Sequence, residues 1–169
     1  RAIQETIQHF TKWRPGIEEI DLLKEEGCWN NDWETSLELI KRNQGINFHL
    51  EKIPNYENLI SVFNDFYFGQ GEEGSPEGWT GFIQNEPLLV KKDFFSELTR
   101  ERILWGFVSG AELPSAQFVI EKRLGLLNAP LIAMGDAPDK PNPSGLIRLA
   151  SQIAGVKLGR NVPTIAYLG

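Results

Sequence analysis

Residues 103–110 read ILWGFVSG, an apolar run that ends in a serine and a glycine. Residues 114–124 follow with apolar side chains at three- and four-residue spacing, which predicts a helix that stops at Gly125. Residues 131–134, LIAM, form a second apolar run, and a proline-containing loop separates it from another helical pattern over 144–154. Strands that alternate with helices predict an α/β fold with a parallel sheet, and such sheets bind ligands at the carboxyl ends of their strands.

Two polar residues are expected at that edge of the sheet. Ser109 follows the first apolar run directly, and Lys140 lies in the loop after the second. A serine hydroxyl and free amide groups at the start of a helix can hold anionic oxygens, and a lysine neutralises phosphoryl charge. Each residue also has an ordinary interpretation, since serine is a common helix cap and a loop lysine is usually solvated. The acids of the same loop, Asp136 and Asp139, are interpreted either as supporting partners of Lys140 or as turn-forming residues.

The first half of the chain has a different character. It lacks alternating strands and helices, and its apolar spacing predicts a small helical bundle. The expected helices cover residues 2–12, residues 17–26, a segment that begins at Asn31 or Asp32 and runs through Ile40, and a segment after Pro54 that reaches Tyr67. Glycine-rich residues 69–81 then predict a loop or an irregular hairpin, and a further helix is expected around 91–100. Residues 164–168 predict a last strand.

Composition restricts the class of protein. A formal net charge of −6, from 17 basic and 23 acidic residues, argues against a binding partner with a phosphate backbone, so no nucleic-acid partner is expected. The single cysteine, Cys28, excludes an intrachain disulfide framework and a cysteine-based zinc site. No apolar run reaches the roughly 20 residues of a membrane helix. We therefore expect a cytoplasmic protein with no membrane partner.

The short motifs resemble those of the haloacid-dehalogenase-like (HAD) hydrolases. The second motif of that superfamily, an apolar strand ending in Thr or Ser and then Gly, is similar to residues 107–110, FVSG. Its third motif, a lysine in Lys-Pro-x-Pro, is similar to residues 140–143, KPNP. Residues 164–169 resemble the strand before the fourth motif. Residues 30–33 and 85–89 resemble a small, chiefly bacterial branch of the superfamily.

The resemblance implies a fold and a function. The fold would be a Rossmann-like parallel sheet core, partly represented by residues 87–169, with an inserted α-helical cap of the subfamily IA type over residues 1–86. The function would be Mg²⁺-dependent hydrolysis of a small phosphorylated metabolite through an aspartyl-phosphate intermediate. Lys140 and Ser109 would be catalytic, and both would bind phosphate together with Gly110. Two cap residues would help to select the substrate, Asn31 and Asp32, although Asp32 is equally interpreted as a helix cap.

The chain departs from the family pattern at both ends. The first motif, Asp-x-Asp, is absent, because no two aspartates are spaced by two residues. The acids of the fourth motif are absent too, since the sequence stops at Gly169. We interpret the chain as an internal piece of a longer hydrolase that is inactive alone, with no metal ligand of its own. The alternatives are a non-catalytic binding or scaffolding module that keeps the fold, and an adaptor built on the aromatic-rich helical segment.

Overall fold

The computed structural model describes residues 1–69, 75–155 and 165–168. Within these ranges the chain forms seven α-helices and one two-stranded parallel sheet. It divides into two compact units, Arg1–Glu86 and Pro87–Gly169. No helix in the described ranges is long and apolar enough to cross a membrane.

The first unit consists of the four helices that the apolar spacing predicts, which confirms that prediction. They are α1 (Ala2–Thr11), α2 (Ile17–Lys24), α3 (Asp32–Asn43) and α4 (Tyr56–Tyr67). Local chemistry sets where three of them begin. Asn31 and Asn55 accept hydrogen bonds from the first free N–H groups of α3 and α4, and Glu19 accepts one from the N–H of Gly16 at the start of α2.

The core of the first unit lies between α1, α3 and α4. Helix α1 packs against both α3 and α4, and α2 packs against α3. The side chains of Ile7, Ile40 and Leu59, one from each of the three central helices, are completely buried. Two 3₁₀ turns follow α4 along the chain. The centroid of the Trp79 ring lies 4.5 Å from that of Phe68, the residue directly after α4. Residues 70–74 of the predicted glycine-rich loop lie outside the described residues.

The second unit places helices on both faces of a very short sheet. Its elements are α5 (Lys92–Arg100), β1 (Phe107–Val108), α6 (Leu113–Gln117) with a π-helical continuation (Phe118–Arg123), β2 (Leu131–Ile132) and α7 (Ser144–Ala154). Phe107 pairs with Leu131 and Val108 with Ile132. The first pair joins an apolar cluster with α5 and the π-helix, whereas the second pair faces α7 because successive strand residues point to opposite faces.

The prediction of an α/β fold with a Rossmann-like parallel sheet core is wrong. In the described ranges the sheet has two strands of two residues each, and the seven helices dominate both units. Ile103 and Leu104, expected within the first strand, lie outside the ladder with more than half of their surface exposed. Residues 165–168 have no regular secondary structure, and Thr164 of that predicted strand lies outside the described residues.

The physical reason for the error is that an apolar run does not define a strand by itself. A strand persists only where a neighbouring strand supplies hydrogen bonds, and two-stranded sheets are marginal without additional packing. Here β1 and β2 pair only over the residues that are also covered by helices. A short apolar run is otherwise ambiguous, because periodicity alone does not identify it as a strand.

Candidate functional site

The serine predicted at the sheet edge does follow β1. Its N–H donates to the carbonyl oxygen of Ile132 at 2.8 Å, so Ser109 extends the pairing of β1 with β2 by one hydrogen bond. The half-buried hydroxyl of Ser109 accepts a hydrogen bond from the N–H of Ala111 at 3.0 Å. This contact holds the turn after β1 and is not the helix cap of the ordinary interpretation, because Glu112 occupies the cap position of α6. The hydroxyl retains its own hydrogen, so it can still donate to a bound anion.

A tight turn follows β2 and is held by Asp136. The N–H of Ala133 donates to Oδ2 of Asp136 at 2.9 Å, and Arg148 on α7 donates to the Asp136 carbonyl oxygen at 2.6 Å. The N–H of Met134 donates to the carbonyl oxygen of Ala111 at 3.0 Å, which ties this turn to the one after Ser109. The carboxylate of Asp136 therefore has the turn-forming role that its loop position suggested.

Lys140 lies between this turn and the start of α7. It precedes Pro141 through a cis peptide bond, and its Nζ donates to the hydroxyl of Tyr167 at 3.4 Å. Asn142 orders the next residues, because its Oδ1 accepts from the N–H of Ser144 at 2.9 Å. Lys140 is half-buried, so its ammonium group is held near the protein surface without losing contact with solvent.

Ser109, Gly110 and Lys140 line one pocket. The pocket lies where β1 and β2 end, and its apolar wall includes Val108 and Ile132. Its volume is about 20 Å³, which is room for roughly one water molecule. A Cβ atom on Gly110 would meet nothing within 4 Å, so the space beside this residue is open. The structure thus brings the three residues together around a small opening.

The pocket offers three kinds of contact to an anion. Lys140 supplies a positive charge, Ser109 a hydroxyl donor, and Gly110 an N–H that makes no hydrogen bond with any described residue. Such donors bind phosphoryl oxygens through charge-assisted hydrogen bonds. Asp139 also lines the pocket, and the negative charge of its carboxylate opposes an anion there. The arrangement is suited to binding one small anionic group.

A magnesium site of the kind that the resemblance implies does not fit the residues described. Magnesium is bound through carboxylate oxygens, usually with substrate phosphates and water. In residues 1–69, 75–155 and 165–168, no group of three or more His, Cys, Asp or Glu side chains is placed to hold a metal ion. The roles assigned to Ser109 and Lys140 do not depend on a bound metal ion.

The cap residues Asn31 and Asp32 have structural partners within the first unit. Oδ1 of Asn31 accepts hydrogen bonds from the N–H groups of Trp33 and Glu34, at 2.9 and 3.3 Å, and so caps α3. Oδ1 of Asp32 accepts from Nζ of Lys24 at 2.7 Å. The capping role proposed for Asp32 therefore belongs to Asn31, and Asp32 forms an exposed ion pair instead.

A cluster of ion pairs in the first unit lowers the pKa of one carboxyl group, that of Glu26. Arg42 on α3 forms ion pairs with Glu26 and Glu38, and the indole N–H of Trp29 donates to Oε2 of Glu26 at 2.8 Å. The hydrogen bonds from Arg42 and Trp29 lower the pKa of Glu26 from 4.5 to about 2. The guanidinium of Arg42 also lies over the Trp29 ring. This cluster ties the segment before α3 to the last turn of that helix.

Tyr167 is the pocket neighbour that the sequence did not suggest. Its hydroxyl accepts from Lys140, although the two residues belong to distant segments of the chain. The segment around Tyr167 was predicted only as a strand, and a tyrosine in an apolar run has no spacing signal that ties it to a lysine in another loop. A contact of this kind becomes visible only in three dimensions.

Comparison with known protein families, with curated proteins and with solved structures gives no significant match. The functional interpretation therefore depends on the residues and geometry of the two units.

Proposed function

We propose that Ser109, Gly110 and Lys140 are the phosphoryl-binding residues of a HAD-like hydrolase that cleaves phosphate from a small phosphorylated metabolite. One observation carries the proposal. A serine and a lysine from two separate loops line the same pocket at the carboxyl ends of adjacent parallel strands. Both residues belong to the short motifs that resemble those of the HAD hydrolases, and their meeting was not guaranteed by sequence spacing.

In this proposal the three residues bind and orient the transferring group. The ammonium of Lys140 offsets the negative charge of one phosphoryl oxygen, while the Ser109 hydroxyl and the Gly110 N–H donate to another. Phosphoryl transfer depends chiefly on such positioning and charge stabilisation. The attacking carboxylate would come from an Asp-x-Asp segment, which the 169 residues do not contain. The magnesium that the family resemblance implies would likewise need acids beyond the described residues.

The small volume of the pocket limits the size of the group that it can hold. A phosphoryl group is larger than the one water molecule for which the present opening of about 20 Å³ has room. Binding of a phosphoryl group therefore needs a wider opening than the present one. The open space beside Gly110 gives the ligand a route in without displacing β1.

Binding is tested first on the 169-residue chain, with inorganic phosphate as the probe and backbone amide NMR shifts as the readout. We expect shifts at Ser109, Gly110 and the 136–142 loop that saturate. Lys140→Ala should weaken binding by about tenfold, because a charge-assisted hydrogen bond is lost. Lys91→Ala is the matched control, since Lys91 is an exposed lysine of the same unit that does not line the pocket. Equal effects of the two variants would remove Lys140 from the proposal.

Catalysis is tested on a chain extended at both ends to include any Asp-x-Asp segment and following acids. Phosphate release from a panel of phosphorylated metabolites is measured with magnesium and with a chelator. We expect magnesium-dependent release that falls by about 10²–10³-fold in Lys140→Ala. Unchanged release in that variant would contradict the role of Lys140.

A non-catalytic anion-binding module is the second candidate. The pocket itself favours it, because Ser109, Gly110 and Lys140 offer two hydrogen-bond donors and a positive charge to an anion. The two functions differ in outcome. Saturable phosphate binding by the chain, together with no phosphate release by the folded extended protein, would support the module and contradict the hydrolase.

A further inference from the structure

A second cavity lies wholly within the first unit, where the end of α1 meets the segment that leads into α4. Its volume is about 330 Å³, within the range of roughly 300–1,000 Å³ that small-molecule sites occupy. Apolar side chains form much of its lining, namely Phe10, Leu50, Ile53 and Pro54. All four are only partly buried, so the cavity exposes apolar surface that a ligand could cover.

The remaining lining residues are polar and stand at the solvent side. Lys52, Asn55 and Asn58 are all exposed. Oδ1 of Asn55 accepts from the N–H of Asn58 at 2.8 Å, which leaves the amide donors of both asparagines available. Lys52 makes no ion pair or hydrogen bond with any described residue. The cavity therefore combines an apolar lining with several uncommitted donors and one positive charge.

We propose that this cavity binds a small amphipathic carboxylate, with its apolar body on Phe10, Leu50 and Ile53 and its carboxylate beside Lys52. A cationic ligand would be repelled by Lys52, and a strongly hydrated anion without an apolar body would leave the lining uncovered. A neutral apolar molecule would gain nothing from the charged rim. The inference is independent of the proposed phosphoryl site, because no residue is shared between the two cavities.

The test uses octanoate as the probe on the full 169-residue chain, with backbone amide NMR shifts as the readout. We expect saturable shifts confined to Phe10 and residues 50–58. Hexanoate should bind more weakly by up to about 15-fold, since it lacks two methylenes and each buried methylene contributes about 0.8 kcal/mol. Octanol should bind more weakly than octanoate, because it carries no charge. Shifts that do not saturate, or that lie on other helices, would overturn the proposal.

Variants separate the charged rim from the apolar lining. Lys52→Gln should weaken octanoate by about three- to fivefold, the effect of one exposed ion pair, and leave octanol unchanged. Lys41→Gln is the matched control, since Lys41 is an exposed lysine of α3 that does not line the cavity. Asn58→Trp should block the cavity while the chain stays folded, because Asn58 is exposed. Octanoate binding that is equal in all three variants, each shown to be folded by its NMR spectrum, would refute the inference.

Discussion

Replacing Gly81 by alanine is expected to destabilise the first unit strongly. A Cβ atom at this position would lie 2.5 Å from the carbonyl oxygen of Tyr67 and 2.5 Å from the amide nitrogen of Gly69. A carbon atom normally approaches a backbone oxygen no closer than about 3.3 Å, so the two segments must separate by roughly 0.8–1 Å. The N–H groups of Thr80 and Gly81 each donate to the carbonyl oxygen of Phe68 at 2.8 Å, and this separation would take both beyond hydrogen-bonding distance.

The expected loss in the free energy of unfolding follows from these contacts. Two hydrogen bonds contribute about 1 kcal/mol each, and forcing packed segments apart costs about 1–3 kcal/mol more. Gly81→Ala should therefore lower the free energy of unfolding by about 3–5 kcal/mol. This free energy is measured by urea denaturation with tryptophan fluorescence as the readout, because four of the five tryptophans lie in the first unit.

The control for this substitution is Gly110→Ala, which makes the same chemical change where a Cβ atom meets nothing within 4 Å. It should change the free energy of unfolding by less than about 0.5 kcal/mol. A loss below about 1 kcal/mol for Gly81→Ala would refute the reasoning, because a Cβ atom 2.5 Å from two backbone atoms forces the two segments apart. Equal losses in the two variants would refute it as well, since only one site is crowded.

Three further substitutions or titrations test the structure. Gly106→Ala would place a Cβ atom 3.0 Å from the carbonyl oxygen of Pro130 and should lower the free energy of unfolding of the second unit by about 1–3 kcal/mol in thermal denaturation; an unchanged value would contradict the close packing there. Asn31→Ala removes the cap of α3 and should cost about 1 kcal/mol by the same measurement; no loss would contradict the capping role. In an NMR titration Glu26 should show a pKa of about 2 in place of 4.5. Because the pKa of Glu26 is lowered on folding, its ion pair with Arg42 stabilises the unit fully above pH 4.5, and the contribution is lost as the pH falls toward 2. Arg42→Gln should return the pKa of Glu26 toward its ordinary value. An unchanged pKa in that variant would show that Arg42 is not the cause of the shift.

The helices could be predicted from the sequence because their signals are local. Asn31 and Asn55 stand directly before apolar residues at helical spacing, and both cap helices as such residues do. The sheet could not be predicted in the same way. Residues 103–106 are as apolar as β1 itself, but pairing depends on which distant segment lies alongside, and β2 reaches only Phe107 and Val108. Strand length was therefore decided by long-range contacts that the sequence pattern does not contain.

In the candidate site, too, the turns follow from neighbouring residues, whereas the contact between them depends on residues distant in the sequence. The turns after β1 and β2 were predictable from Ser109 and from the Gly-Asp turn at Asp136, and each side chain does hold its own turn. The contact between the two turns could be predicted only from the expectation that both follow parallel strands, because the carboxyl ends of such strands lie at one edge of the sheet. The expectation succeeded for the pocket although the larger sheet was wrong, because two paired strands are sufficient to bring two successive loops to one edge.

The two loops that line the pocket are held together without an extensive sheet. The two loops are joined by the hydrogen bond from Met134 to Ala111, and α7 is drawn close to the strands because Gly145 has no side chain. A Cβ atom on Gly145 would lie 3.2 Å from Cγ1 of Val108, so the helix that follows Lys140 is held against β1. The position of Lys140 relative to Ser109 is therefore set by backbone hydrogen bonds and by one close helix–strand contact. If the pocket binds phosphate, its geometry depends on these contacts more than on the number of strands.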